Sequence, residues 1–164
     1  MTETDISRLS GLVGDRLKAS GAKVTCAESC TGGWLAKVIT DVAGSSGWFD
    51  YGFVTYSNQA KQDLVHVNEG TLSRHGAVSA EVVGEMAAGA LRVAGADFAV
   101  SVSGIAGPDG GSDEKPVGTV WFGFTNKQGL AFTRKVLFSG DRNEVRLQSV
   151  HFALQTLLDE FLQK

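Results

Sequence analysis

Four stretches of the chain hold residue types that could do chemistry. Residues 27–33 read AESCTGG. A small nucleophilic side chain, Ser29, falls between an expected strand and a helix start, and two glycines follow. Backbone N–H groups at a helix N-terminus can stabilise a developing oxyanion, and Gly32 and Gly33 let a substrate approach the backbone closely. The plainer reading is a polar strand-to-helix turn with Ser29 or Thr31 as N-cap. Residues 56–61 read YSNQAK. A buried Lys61 would shed its proton readily, because desolvation disfavours the charged form. It could then serve a serine as general base, with the Tyr56 hydroxyl relaying or holding the proton. The plainer reading makes Lys61 a solvated helix residue and Tyr56 a strand-end aromatic; the S-x-x-K signature of β-lactamase-type enzymes is absent. Residues 103–111 read SGIAGPDGG. Glycines beside a strand end can expose N–H groups to a phosphate or carboxylate, although the stretch is neither a P-loop nor a dinucleotide fingerprint and reads equally well as a flexible loop. Arg142, near the start of the last helix, could pair with a phosphate or stand as an ordinary surface arginine.

Other chemistries have less support. His66, His75 and His151 are scattered without metal-ligand spacing, and Cys26 and Cys30 lack C-x-x-C spacing. No metal and no cofactor is therefore expected. The formal net charge of -3, without a charge block, argues against nucleic acid as a partner, since phosphate backbones need clustered Lys and Arg. No apolar run approaches the ~20 residues needed to span a bilayer, and residues 1–10 lack the apolar core of a signal peptide. Two closely spaced cysteines are unlike a disulfide framework. The expectation is a reduced, cytoplasmic protein with no membrane partner.

The elements that must position these residues follow from periodicity. The 164 residues, 43% hydrophobic and 20% charged, suit one domain with a single sizeable core. Ile6, Leu9, Leu12, Val13 and Leu17 predict a helix with Asp5 as N-cap and Gly21 as stop. Strands are expected over 23–28, 52–56, 97–103, 117–125 and 130–138, the last two as a hairpin. Helices are expected after Gly32-Gly33, over 57–65, and from the N-cap Ser79 to about Val93. A last helix begins at the capping box Asp141/Glu144 and carries Leu147, Val150, Leu154, Leu157, Leu158 and Phe161. Helices alternating with strands, interrupted by one hairpin, imply an α/β fold: a three-layer α/β/α sandwich with a mixed sheet, one domain over 1–164. The loops at Ser29, Tyr56 and Ser103 would then line one cleft at the strand ends.

The ordered series AESCTGG, AGSSGWFDYGFVTYSNQAK, HGAVS, SGIAGPDGG, KPVGTVWFG and GDR resembles the C-terminal domain of the competence-damage protein CinA, from about Lys23 to Arg142. The resemblance implies an α/β/α sandwich, usually oligomeric (a dimer or higher), in a standalone form without CinA's larger N-terminal domain. It also implies hydrolysis of nicotinamide mononucleotide to nicotinate mononucleotide and ammonia, without a metal, in pyridine nucleotide recycling. The substrate partner would be a small nucleotide. Carried over by motif, Ser29 is the nucleophile, Lys61 the general base and Tyr56 its assistant. Cys30, Thr31, Gly32, Gly44, Ser45, Ser46, Ser57, Asn58, Ala77, Val78, Ser103, Gly104 and Gly107 would shape the substrate site, and Arg142 would meet the phosphate. One departure is visible: Ser103 stands where the family usually has Thr, so the hydroxyl survives and a methyl is lost.

The mechanism expected is acyl transfer, with the oxyanion resting on backbone N–H groups near Ser29 to Gly32. Two rival readings remain. One is a non-catalytic nucleotide-binding or regulatory module, which would have no need of a base facing a serine. The other is a thiol enzyme using Cys30.

Overall fold

The computed structural model describes residues 1–163. Helix α1 (Glu3–Ser20) buries Ile6, Leu9, Val13 and Leu17. Leu12 is 46% exposed, because at about 3.6 residues per turn it falls to one side of that stripe. The N-cap is Thr2 and not Asp5: Asp5 occupies the third helical position and closes a capping box, its N–H donating to Thr2 Oγ1 while the Thr2 N–H donates to its carboxylate. Gly21 ends the helix at φ 65°, a conformation that costs glycine little.

Strand β1 (Val24–Glu28) is buried throughout and leads through a tight turn into α2 (Trp34–Thr40). A loop containing one 3-10 turn (Ser45–Gly47) then reaches the edge strand β2 (Gly52–Val54), which is shorter than the expected 52–56. Helix α3 (Asn58–Val65) follows its N-cap Ser57, whose Oγ accepts the Ala60 N–H. Helix α4 (Glu69–His75) was not foreseen from sequence; its seven mostly polar residues, about two turns, carry too few apolar repeats to stand out. Helix α5 (Ala80–Ala94) runs from the N-cap Ser79 to Gly95, as its sequence implies. Strand β3 (Phe98–Gly104) leads to the Gly/Pro loop, and β4 (Thr119–Asn126) and β5 (Ala131–Leu137) form the hairpin. Helix α6 (Arg142–Leu157) opens on the Asp141/Glu144 capping box and ends in a π-helical turn, Leu158–Leu162.

The sheet order is β2-β1-β3-β4-β5, with β1 parallel to both neighbours and β4 antiparallel to β3 and β5. The chain is thus an α/β sandwich with a mixed sheet. One face is covered by α1, α2 and α6, whose apolar stripes meet Val24, Cys26, Val100, Val102, Val120 and Phe122. The other is covered by α3, α4 and α5, through Val65, Leu72, Val82, Val83 and Met86 against Ala27. β1 lies between the strand that follows it and the strand reached by crossing back, which places its carboxyl end at a topological switch point.

Two glycines set how closely the second layer sits. A Cβ on Gly89 of α5 would fall on the Val65 carbonyl of α3, and one on Gly123 of β4 would fall on the Val83 carbonyl of α5. Their missing side chains let α3 settle on α5 and α5 on the sheet.

Candidate active site

Ser29 follows the last residue of β1, and its N–H extends the sheet by donating to the Val102 carbonyl (2.9 Å). Alternation along β1 sends Val24, Cys26 and Glu28 to the α1/α2/α6 face and Ala27 to the other. Ser29 thereby turns towards α3, where Lys61 approaches. Lys61 is only 1% exposed, which settles its sequence-level ambiguity against a solvated helix residue. Its Nζ lies 3.1 Å from Ser29 Oγ, 2.9 Å from the Thr55 carbonyl and 3.2 Å from the Tyr56 carbonyl. Burial pulls the Lys61 pKa from 10.5 down to about 8, with the Cys30 thiol a smaller opposing influence. A neutral amine has two N–H donors and one lone pair. The two carbonyls can take the donors, leaving the lone pair for the Ser29 hydroxyl.

Tyr56 reaches the pair through its main chain. Its carbonyl accepts from Lys61 and, at 3.4 Å, from Ser29 Oγ. Its side chain is 61% exposed and the hydroxyl accepts from Arg142 Nη2 at 3.3 Å. Strand β2 stops at Val54, so the chain turns before Tyr56 and directs the phenol outward. Arg142 also donates from Nη1 to the Gly107 carbonyl (2.8 Å), tying the start of α6 to the loop after β3.

The turn after Ser29 is held from behind. Glu28 is fully buried, and its carboxylate accepts from Thr31 Oγ1 (2.6 Å) and from the N–H groups of Leu35 and Ala36 (both 2.9 Å). The N-cap of α2 is Gly33, at φ 103° and without a side chain, so Glu28 supplies the cap from the neighbouring strand. Gly32 (φ 59°) precedes it, and its N–H closes on the Ser29 carbonyl. Arg146 of α6 donates from Nε to the Cys30 carbonyl (3.0 Å) and from Nη2 to the Thr31 carbonyl (3.2 Å). Neither Glu28 nor Arg146 was singled out from sequence. Two signals were present: Glu28 occupies an inward position of an apolar strand, and Arg146 sits four residues after Arg142, on the same helical face.

Other expected site residues separate into two groups. Ser103 is buried in β3, paired with Trp121, and Gly104 ends that strand. Ser57 and Asn58 open α3 beside Lys61. The Ala77–Ser79 turn lies level with the carboxyl end of β3, since Val83, one turn into α5, accepts from Ser101. All of these border the Ser29 edge. Gly44, Ser45 and Ser46 do not: the Trp48 carbonyl that follows them accepts from the Val24 N–H, at the opposite end of β1. The correction has a simple cause. Helix α2 and the loop that follows it carry the chain back towards the amino end of β1, so residues 44–46 emerge away from Ser29.

Cys30 is buried, and its thiol is pushed up to about 11 by that burial. Arg146 nearby pulls the other way but does not offset the burial, and the thiol lacks the solvent exposure of a reactive thiolate.

Fold and site together define an α/β sandwich with a buried serine–lysine pair at the carboxyl edge of a mixed sheet. The model of the CinA C-terminal domain matches residues 6–161, and the chain belongs to that family. It is 64% identical over 163 residues, 99% of both chains, to a protein of Escherichia coli (strain K12) named nicotinamide-nucleotide amidohydrolase PncC. A Pseudomonas putida protein of the same name is 50% identical, over 93% of this chain and 95% of its own. Among solved structures, a competence/damage-inducible protein from Agrobacterium tumefaciens matches with TM-score 0.93 and 44% identity, over 94% of each chain. Competence damage-inducible protein A from Klebsiella pneumoniae matches with TM-score 0.92 and 41% identity, over 96% of this chain and 98% of that one. No helix among the described residues is long and apolar enough to cross a membrane.

Proposed function

We propose that the chain is a nicotinamide-nucleotide amidohydrolase, converting nicotinamide mononucleotide and water to nicotinate mononucleotide and ammonia by Ser–Lys acyl transfer. The observation that carries the chemistry is the 3.1 Å approach of buried Lys61 Nζ to Ser29 Oγ. The substrate class comes from relatives of that printed name at 64% and 50% identity.

Neutral Lys61 takes the Ser29 proton as Oγ bonds to the carboxamide carbon. The resulting oxyanion needs N–H donors. The Ser29 N–H is committed to Val102 and the Gly32 N–H to the Ser29 carbonyl. The Cys30 and Thr31 N–H groups have no acceptor among the described residues and are left for the oxyanion. The C–N bond then breaks, and Lys61 returns its proton to the departing nitrogen, giving ammonia. Water attacks the acyl-serine and gives its proton to Lys61. The acid leaves, and Ser29 Oγ recovers that proton.

Arg142 pairs with the substrate phosphate in this reading, which its exposure at the start of α6 beside Gly107 supports. Gly104 and Gly107 shape the loop beside it, and Ser103, Ser57, Asn58, Ala77 and Val78 border the nucleotide. The setting is the cytoplasm and the role is pyridine nucleotide recycling, carried out by a homo-oligomer. The test is ammonia release from nicotinamide mononucleotide by the purified protein and by Ser29→Ala. The wild type releases ammonia and the variant does not; a wild type without turnover, or a fully active Ser29→Ala, overturns the reading.

A further inference from the structure

We propose that Arg146 is a positioning residue for the oxyanion site, acting through the two peptide groups it holds. The inference rests on Ser29 as nucleophile and goes beyond it by assigning a task to an arginine 117 positions away in sequence. Arg146 donates to the Cys30 and Thr31 carbonyls from Nε and Nη2. In a trans peptide the C=O and the following N–H point in opposite directions. Holding the Cys30 carbonyl on the α6 side therefore turns the Thr31 N–H away from α6, towards the face where Ser29 meets Lys61. That N–H has no acceptor among the described residues. Thr31 is also gripped through its hydroxyl by Glu28, so neither its side chain nor its carbonyl can swing round to satisfy the N–H locally.

The guanidinium contributes a second effect. A cation donating to a carbonyl polarises the peptide and strengthens the donor at its other end. Its charge lies behind the peptide groups that face the developing oxyanion and adds to their pull on it. Lysine could not replace it, because a single point charge cannot hold two carbonyls in the fixed geometry of the fork. Gly32 keeps the space clear: a Cβ there would stand 3.2 Å from Arg146 Nη2. Behind the turn, Arg146 opens on a cleft of about 420 Å³ shared with Trp34, Lys37 and Glu3, wide enough for a small cation to enter.

The test is steady-state hydrolysis of nicotinamide mononucleotide by wild type, Arg146→Ala, Arg146→Lys and Arg146→Gln, with folding followed by circular dichroism and added guanidinium as a rescue probe. Positioning predicts kcat lower by about 10²-fold in Arg146→Ala, the range for loss of one oxyanion donor. It also predicts an unchanged KM, little improvement in Arg146→Lys, and partial recovery of Arg146→Ala by millimolar guanidinium. If Arg146→Ala does not fold, the same kcat and KM split is read from Arg146→Gln. A kcat near wild type in a folded variant, or a loss that falls on KM and ignores guanidinium, overturns the assignment. Ser29→Ala separates the two readings: if it abolishes turnover while Arg146→Ala does not, only the arginine's role fails. If it leaves turnover intact, the serine reading itself fails.

Discussion

Lys61 Nζ and Ser29 Oγ stand 3.1 Å apart across 32 positions of sequence, inside a site where the lysine is 1% exposed. Both partners are fixed by main chain. Ser29 is pinned by its N–H on Val102, and Lys61 by the carbonyls of Thr55 and Tyr56. The pair is therefore pre-positioned before any substrate arrives, and its titration controls whether the lysine can accept a proton.

Activity should rise with pH through about 8, the value to which burial brings Lys61. The sign follows from the role: the base must be neutral, so turnover falls as pH drops below that value. The midpoint belongs to the Ser29–Lys61 pair. Lys61→Arg should be nearly as inactive as Lys61→Ala, with losses of ~10²–10⁴ in rate, because a guanidinium does not deprotonate. Rate profiles of the three proteins across pH check this; an Arg variant with wild-type turnover would mean that only positive charge is required.

The same burial leaves a mark on stability. Lys61 titrates near 8 when folded and near 10.5 when unfolded, so between those values the unfolded chain binds the extra proton and stability increases with pH. Below pH 8 the full penalty, about 3 kcal/mol from that difference, is present. Urea denaturation of wild type and Lys61→Met across pH 7.5–10 should show an upward slope in the wild type that the Met variant lacks. Parallel curves would place the titration elsewhere.

Cys30, with its thiol pushed up to about 11 by burial, should resist iodoacetamide at pH 8 in the folded protein and react only after denaturation. Mass spectrometry of the treated protein reads the outcome directly. Rapid alkylation with loss of ammonia release would revive the thiol-enzyme reading.

Removing the buried carboxylate should be severe. Glu28→Ala leaves the Leu35 and Ala36 N–H groups and the Thr31 hydroxyl without their acceptor, at ~1–3 kcal/mol for each unsatisfied group. Glu28→Gln should recover part of this, since its carbonyl oxygen still accepts while its NH₂ faces donors. A melting temperature for Glu28→Ala within a degree of wild type would contradict the capping role.

Gly89→Ala should displace α3, because the new methyl meets the Val65 carbonyl. About 1–3 kcal/mol of stability is expected to go, and kcat should fall further than the stability loss explains, since Lys61 rides on the displaced helix. Chemical denaturation paired with kinetics distinguishes this from a purely global effect.

What the sequence determined by itself was local. Ser79, Gly95, the Asp141/Glu144 box and the two hairpin strands stand where their residue types imply, because capping and alternation act over a few residues. The series of motifs was enough to identify the family, and with it the sandwich. Three features were decided only by tertiary structure. Lys61 is a residue of ordinary helical type until α3 settles on Gly89 and the lysine loses its water. Tyr56 was expected to act through its hydroxyl, but the early end of β2 turns the phenol to Arg142 and leaves the carbonyl at Lys61. Gly44 to Ser46 lie away from Ser29 because α2 and the loop after it return the chain to the amino end of β1. Glu28 and Arg146 drew no attention in the sequence, since a capping carboxylate and a carbonyl-holding guanidinium are defined by partners up to 116 residues away. Contacts of that range depend on how the layers pack; a local pattern gives the face on which each residue lies but not the partner it meets there.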